Sequence, residues 1–497
     1  MNPWMTTVQE ALAREGILSA PDRARLVPYQ SYAENLSELA GQLGSFLDSA
    51  GYGGRGLTVF VDGTPKRCSE KGGFDMDGAF REALVSAGFS VDWIVLSELF
   101  NISPKDLHAS LHTVEETRSV VRRRVAGPCL VLGSGSITDV VKHALFLEGI
   151  TLPFVSIPTA LTVTAFTSAF SVIDVHGAKR TQLSREISAT FWLRSVLECA
   201  PTRMSRAGYG DLLARFLAYG DWYLGKELGM MDRYDECAFR LMEPFASGIK
   251  ESAGGFACYP LPAETLGCAT AALAMAGIAM SVSGETTPLS GFEHVISHGL
   301  DFLRLTSGRE MVFHGEQVAL GCLTSARTMD RLLEKETIDT EGWIEDPGAE
   351  GLKQINQLID EAPFFGDAHP SLAHRKAQGP LAERIEGARL EFIGEYEKKS
   401  RRWREGMGRK DGFAEDWPRI RHNLARLTLR LSEIEPLMRQ AGLPCLPEET
   451  APPTSRGEYA WAVRFAPFVR SRMNVSDLIF WMGEDAKNLL DMLSCSV

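Results

Sequence analysis

No two of the nine cysteines, scattered from Cys68 to Cys495, stand at Cys-x-x-Cys spacing. An odd set without metal-ligand spacing excludes a disulfide framework and a thiolate zinc site, and reads as reduced, mostly buried thiols. An excess of positive charge is also missing: 52 Lys+Arg against 64 Asp+Glu leave a net charge of −12. That balance argues against nucleic acid as a partner. The first residues reach Glu10, Arg14 and Glu15 without the basic-then-apolar order of a secretory signal, so a cytoplasmic protein is expected. Long apolar runs are scarce. The longest nearly uncharged stretch, Leu266 to Ser283, approaches the roughly 20 residues of a spanning helix. It is rich in Ala and Gly, with no aromatic belt or basic flank, so a buried helix and no membrane insertion are expected. Basic runs are confined to Arg122-Arg123-Arg124 and Lys398 to Arg404, both read as solvated helix faces. No internal repeat is present.

What remains is a chain of 497 residues, 44 % hydrophobic and 23 % charged, with the composition of a globular enzyme and room for two large domains. Between Arg55 and Pro158, short β-branched runs alternate with amphipathic ones. Leu57 to Val61, Val91 to Leu96, Cys129 to Leu132 and Phe154 to Ile157 read as strands, with helices over Phe80 to Ala87 and from Thr138. This order predicts a Rossmann-like parallel sheet with helical crossovers. After Pro201 the strand-like runs largely vanish, and helices are expected over Met204–Leu228, Met231–Lys250, Glu264–Ser283, Gly291–Leu303, Gly315–Leu333 and Gly457–Leu493. The expected organisation is therefore an α/β domain over 1–200 and an all-α domain over 201–497 with a polar insertion at about 334–449.

Two places carry candidate chemistry. Gly133-Ser134-Gly135-Ser136 turns from strand to helix, where glycine permits close backbone approach and the free N–H groups of a helix start favour a phosphate. Thr138 stands where the third glycine of a GxGxxG fingerprint belongs, and taken alone the turn is weak evidence, because strand-to-helix turns more often use glycine for purely structural reasons. Pro158-Thr159-Ala160-Leu161-Thr162 follows the next strand, at the sheet end where α/β folds bind ligands. Asp62, after the first strand, is placed either as a turn residue or as the acid on a ribose hydroxyl, which would favour NAD over NADP. The second place is Asp211, at a helix start after Gly210, with His294, His298 and His314. His294 and His298, four residues apart, share a helical face. One carboxylate and two imidazoles suit a divalent metal with a position left open for substrate.

GSGSITD, the PTA segment, RAGYGDLLAR with GDWYLG, SGFEHVISH and FHGEQVALG occur in the order found in sn-glycerol-1-phosphate dehydrogenases, and the arginine-rich stretch Val469 to Leu478 resembles that family's closing helix. Those enzymes belong to the iron-containing alcohol dehydrogenase, glycerol dehydrogenase and dehydroquinate synthase superfamily. The resemblance spans about residues 50–330 and the last 40. It implies a dehydroquinate synthase-like fold, with Asp211, His294 and His314 holding Zn²⁺, Ni²⁺ or Fe²⁺ and His298 as a catalytic relay or substrate contact. Gly133, Ser134, Gly135 and Asp139, with Ser136 in the same turn, would line the NAD pyrophosphate, and Thr159, Thr162 and Ser168 the nicotinamide end. The implied activity is hydride transfer between NAD(H) and a small carbonyl or polyol, nearest to reduction of dihydroxyacetone phosphate, by a homo-oligomer.

Two positions depart from the family. Thr164 and Ala165 stand where polyol-handling relatives carry Asp-Gly, and a threonine at that catalytic position cannot act as a carboxylate base. Thr287 replaces the arginine of an SRP stretch, which weakens the case for a phosphorylated substrate. A cyclase that uses NAD without net redox change, or a binding protein that has lost activity, are the alternatives. The insertion is expected to cover the site, mediate oligomerisation or contact a partner.

Overall fold

In a computed structural model the described residues are 3–70, 75–344, 346–364, 380–406 and 409–483. The β-branched runs form parallel strands: β1 (Tyr29–Ala33), β2 (Gly56–Val61), β3 (Ser90–Val95), β4 (Cys129–Gly133), β5 (Phe154–Pro158) and, beyond a hairpin of β6 (Phe170–Val175) and β7 (Ala178–Leu183), β8 (Ala189–Leu193). Their order in the sheet is β1-β8-β5-β4-β2-β3, with every pairing parallel. Strands β2, β4, β5 and β8 are buried almost throughout because both faces of the sheet are covered there. Leu57, Val59 and Val61 of β2 join Leu130 and Leu132 of β4 on one face. Phe60, Cys129 and Val131 face the other way, onto Val140, Val141 and Ala144 of the Gly135–Leu147 helix. Successive strands β2 and β3 lie on one side and β4 on the other, so the strand order reverses between β2 and β4. Ligands of open α/β sheets bind beyond the carboxyl ends at such a reversal.

The chain divides into two compact units: Met1–Asp174, Arg180–Leu212 and Cys237–Thr286 form the first, and Val175–Lys179, Leu213–Glu236 and Thr287–Val497 the second. In this division residues 237–286 belong with the sheet. They include the apolar helix Ala263–Ser283, whose mean hydropathy of 1.7 goes with complete burial of its apolar window. Its small residues permit close approach: a Cβ on Gly277 would strike the Thr167 hydroxyl and the Thr164 carbonyl. Thr167 Oγ1 donates to the Ala274 carbonyl at 2.8 Å.

The second unit is helical in its described residues apart from the strand ends at 175 and 178–179. Helices Phe292–Ser307, His314–Glu334 and Arg456–Phe465 supply its centre, and the polar insertion joins them: Ile355, Leu358, Phe392, Tyr396 and Trp403 are buried in the same core. Trp403 stacks on Trp481 at 4.1 Å, and Trp461 Nε1 donates to the Leu358 carbonyl. The insertion is thus part of this unit's core through one apolar stripe. Its basic run is not a uniformly solvated face, since Lys399 is fully buried while Lys398 and Arg401 are exposed. The expected Met204–Leu228 helix is interrupted, forming Thr202–Leu213, a short turn at Ala214–Phe216 and Ala218–Glu227. Gly457–Leu493 forms helices at Arg456–Phe465 and Val475–Trp481, and its end lies outside the described residues, as does Cys495. The eight described cysteines are free thiols.

Candidate active site

At the strand reversal, Asp62 follows β2 and Ser134 follows β4, in register through the Val61–Leu132 pair. Gly133 and Gly135 are required by close approach: a Cβ on the first would overlap Ile137, and on the second Val163. Ser134 occupies the cap position of the Gly135–Leu147 helix, yet its side chain makes no capping bond. Exposed N–H groups at such a helix start suit a pyrophosphate. The Thr162 hydroxyl stands 3.9 Å from where a Gly135 Cβ would sit, and its buried oxygen has no partner among the described residues. Ser136 is exposed beside it, and Thr159 donates its N–H to the Gly133 carbonyl at 3.1 Å. Thr138, in the third glycine's place, closes the turn through its hydroxyl on the Ser134 carbonyl, 2.9 Å away. A cradle shaped by two obligatory glycines, with an orphaned hydroxyl on its rim, fits a dinucleotide.

Asp139 and Ser168 are engaged within the fold. Asp139 accepts the Val172 N–H and pairs with Lys142 at 3.1 Å. Lys142, fully buried, also donates to the Ala165 and Ser168 carbonyls and to that of Phe170, and so ties down the loop that carries Thr164. Burial lowers its pKa, against the pull of Asp139. Ser168 Oγ accepts the Phe170 N–H. Thr164 opens a short 3₁₀ turn and is half-buried. Asp62 Oδ1 accepts from Lys66 Nζ at 2.8 Å and from the Thr64 N–H at 2.9 Å. Lys66 was not legible as a site residue, since no motif marks it; its burial beside two carboxylates, Asp62 and Asp77, is visible only in the folded chain.

The metal candidates come together. Asp211, His294 and His314 each offer one ligand atom, and these atoms all lie within 4.8 Å of one another. Asp211 lies in the last turn of the Thr202–Leu213 helix. That helix abuts the loop after β5 at Gly208, where a Cβ would overlap the Leu161 carbonyl. His294 and His298 ride on the Phe292–Ser307 helix, and His314 opens the next long helix, its ring 5.2 Å from that of His294 and 5.9 Å from that of His298.

Each metal-candidate imidazole is held from behind. His294 Nδ1 donates to Glu293 Oε1 at 2.9 Å. Ser297 Oγ gives its only proton to Gln317 Oε1 at 2.8 Å, so it accepts from His314 Nδ1 at 3.0 Å. Both rings therefore carry their proton on Nδ1, the arrangement that orients metal-bound histidines generally. His298 has the same tautomer. Arginine can only donate, so the 3.1 Å contact from Arg470 makes His298 Nε2 the acceptor and puts its proton on Nδ1, buried without a partner among the described residues. Burial and the neighbouring Arg470 hold this imidazole's pKa well below the usual range.

Glu293, Ser297, Gln317 and Asp221 were missed as supports. The signal was available for three of them: Ser297 is three residues from His294, Gln317 three from His314, and Glu293 is adjacent to His294. Asp221 is fully buried and accepts the first N–H of two helices, Phe292 at 2.6 Å and Val475 at 2.7 Å. Burial, then the nearby Glu293, pushes its carboxyl well above the usual range. Arg472 donates to Ser290 Oγ, three residues after Thr287. A guanidinium thus stands beside the turn from which the expected arginine is absent.

Residues 88–192 match the iron-containing alcohol dehydrogenase family. The chain is 33 % identical over 214 residues to a glycerol-1-phosphate dehydrogenase [NAD(P)+] of Thermofilum pendens, covering 43 % of this chain and 59 % of that protein. It is 28 % identical over 234 residues to one of Bacillus subtilis, covering 47 % and 56 %. It thus spans little more than half the length of these curated relatives. A third, from Pyrococcus horikoshii, is 31 % identical over 242 residues, covering 48 % of this chain and 67 % of that one. Among solved structures, an archaeal halo-thermophilic alcohol dehydrogenase from a Red Sea brine pool aligns with a TM-score of 0.53 at 11 % identity, covering 94 % of this chain and 96 % of that one. An alcohol dehydrogenase from Oenococcus oeni aligns at 0.51 and 12 %, covering 93 % and 98 %. These two share the fold. Taken with the ordered motifs, the extent of the Pyrococcus horikoshii match means that the chain belongs to the iron-containing alcohol dehydrogenase superfamily, as a glycerol-1-phosphate dehydrogenase-like member.

Proposed function

We propose that this chain is a metal-dependent NAD(P)(H) oxidoreductase that reduces a small carbonyl, dihydroxyacetone phosphate to sn-glycerol 1-phosphate being the reaction its relatives' names support best. The observation that carries the reading is the group of Asp211, His294 and His314, with Glu293 and Ser297 accepting the Nδ1 protons of the two rings. These three residues would hold one divalent ion, Zn²⁺, Ni²⁺ or Fe²⁺. When bound, the ion supplies Lewis-acid polarisation of the carbonyl and the reduced nicotinamide supplies the hydride.

The protein's own part is positioning and proton management. Gly133, Ser134, Gly135 and Ser136 receive the pyrophosphate, with Thr159 and Thr162 alongside. Asp139, through Lys142, and Ser168 keep the neighbouring loop in place. Asp62 takes a ribose hydroxyl and disfavours a 2′-phosphate, while Lys66 offsets part of its charge, so NADH is preferred and NADPH is also accepted. His298 carries its proton on Nδ1 and is a group able to donate a hydrogen bond to the substrate's oxygen where relatives use the aspartate that Thr164 replaces. The nine scattered cysteines suit a reducing, cytoplasmic setting.

Purified, metal-loaded protein is expected to convert NADH lastingly to NAD⁺ with dihydroxyacetone phosphate, and to stop when a chelator removes the ion. Absorbance at the NADH band checks both. Product without net NADH change would favour a cyclase, and neither product nor NADH loss would mean a binding protein.

A further inference from the structure

We propose that Lys142 is a positioning residue whose ammonium serves as an internal monovalent cation, filling a cage of three backbone carbonyls and one carboxylate that takes an alkylammonium ion once the side chain is cut back. The inference rests on the oxidoreductase reading only for its turnover arm, and the ion binding it expects is independent of that reading.

Gly135, Asp139 and Lys142 stand at positions i, i+4 and i+7 of the Gly135–Leu147 helix and so share one face. Residues 162–172 run along that face. A Cβ on Gly135 would meet Val163 and Thr162, and Asp139 Oδ2 accepts the Val172 N–H at 3.1 Å. Between these two points Lys142 Nζ donates to the Ala165, Ser168 and Phe170 carbonyls at 3.1, 3.0 and 2.5 Å. Asp139 Oδ1 lies 3.1 Å from the same nitrogen and has no hydrogen-bond partner among the described residues. The three carbonyls use all three protons of the ammonium, so this carboxylate oxygen is held by charge alone. Three oxygens that can only accept require the charged form, although burial lowers the pKa of the side chain. Lys142 is fully buried, and its nitrogen is surrounded as an ion in a carbonyl ring is, by oxygens that replace water.

The loop is tied elsewhere by neutral bonds. The Phe166 carbonyl accepts from Thr190 Oγ1 of β8, and Thr167 Oγ1 and the Ala169 N–H bond to Ala274 and Ser281 of the apolar helix Ala263–Ser283. Lys142 and Asp139 instead tie the loop to the helix that opens on the glycine cradle. With the cation removed, three carbonyls and a carboxylate face one another unpaired, and the loop must turn them outward. Thr162, Val163 and Thr164 immediately precede the first of these carbonyls, so the displacement reaches both the rim of the cradle and Thr164.

The test compares the full, metal-loaded chain with Lys142→Ala and Lys142→Met, at constant ionic strength in tetramethylammonium chloride, whose cation has no N–H to donate. The probe is n-propylammonium, which carries the four heavy atoms that Lys142→Ala removes, and 1-propanol is its uncharged match. n-Propylammonium should raise the melting temperature of Lys142→Ala saturably, and should leave the wild type and Lys142→Met unchanged because their side chains fill the cavity. Turnover of NADH with dihydroxyacetone phosphate should fall about 100-fold in kcat/KM in both variants, with kcat falling more than KM for NADH rises. The ion should restore at least about 10-fold of that loss in Lys142→Ala alone. Should Lys142→Ala fail to fold, refolding with n-propylammonium against 1-propanol, followed by circular dichroism, reads the same binding, and Lys142→Met carries the kinetic comparison. Equal rescue by 1-propanol would overturn the proposal, since stem packing and not charge would then set the loop. Absence of any shift or rescue by the ion, or wild-type turnover in Lys142→Met, would overturn it as well. A wild-type protein that oxidises no NADH, beside a Lys142→Ala variant stabilised by n-propylammonium, would instead overturn the proposed reaction and leave the cation cage standing.

Discussion

Alanine at position 294 strips the protein of stoichiometric metal and lowers turnover by at least about 1,000-fold, because an ion held by three protein ligands loses one and the carbonyl loses its Lewis acid. Metal content by mass spectrometry after exhaustive buffer exchange, beside a circular dichroism spectrum to establish folding, measures the first effect. His294 is nearly buried and its ring is tied to Glu293, so the loss leaves a small polar cavity and a carboxylate without one of its two donors. Glu293→Gln separates ligation from support: it keeps an acceptor for His294 Nδ1 but removes the charge, and metal affinity should fall about 10- to 100-fold without vanishing. Retention of one metal per chain by His294→Ala would remove the Asp211, His294, His314 assignment.

The sheet was legible because parallel strands buried on both faces are written as unbroken apolar runs: Leu57 to Val61, Cys129 to Leu132 and Phe154 to Ile157 all form strands within a residue of their expected ends. Strand β1 was not, since Tyr29-Gln30-Ser31-Tyr32-Ala33 holds a single buried residue and pairs along one side only, with β8. The histidines were legible through their four-residue spacing. Their supports were not sought, although Ser297 and Gln317 obey the same helical arithmetic. Arg470 could not have been joined to His298, because 172 residues separate them and no periodicity links them. The basic run of the insertion misled for a different reason. Its surface composition is charged, while the residues that matter, Phe392, Tyr396, Lys399 and Trp403, recur at three- and four-residue steps on one face of the Pro380–Gly406 helix.

Lys399→Met is expected to destabilise the protein by about 3–5 kcal/mol, more than any other single change outside the metal group, because it leaves a buried carboxylate without its cation. Lys399 and Asp477 are both fully buried, 2.8 Å apart, and Lys399 also donates to the Pro467 carbonyl at 2.7 Å. Burial raises the Asp477 carboxyl to about 6 even with Lys399 opposing, and removing Lys399 must raise it further. A carboxyl whose folded pKa exceeds its unfolded value binds protons more readily in the native state, so its ionisation costs stability increasingly as pH rises through that window. The deficit of Lys399→Met should accordingly be largest near pH 8 and shrink as pH falls towards about 5. Denaturant melts followed by tryptophan fluorescence suit the measurement, since Trp403 and Trp481 lie on the two helices that the pair joins. The double variant Lys399→Met/Asp477→Asn removes both charges and keeps an acceptor for the Asn474 N–H. It should recover much of the loss, because replacing a whole buried pair by neutral groups of similar size is often close to neutral. Equal deficits in the single and double variants at pH 8 would mean instead that packing of the lysine stem, and not the stranded charge, sets the cost.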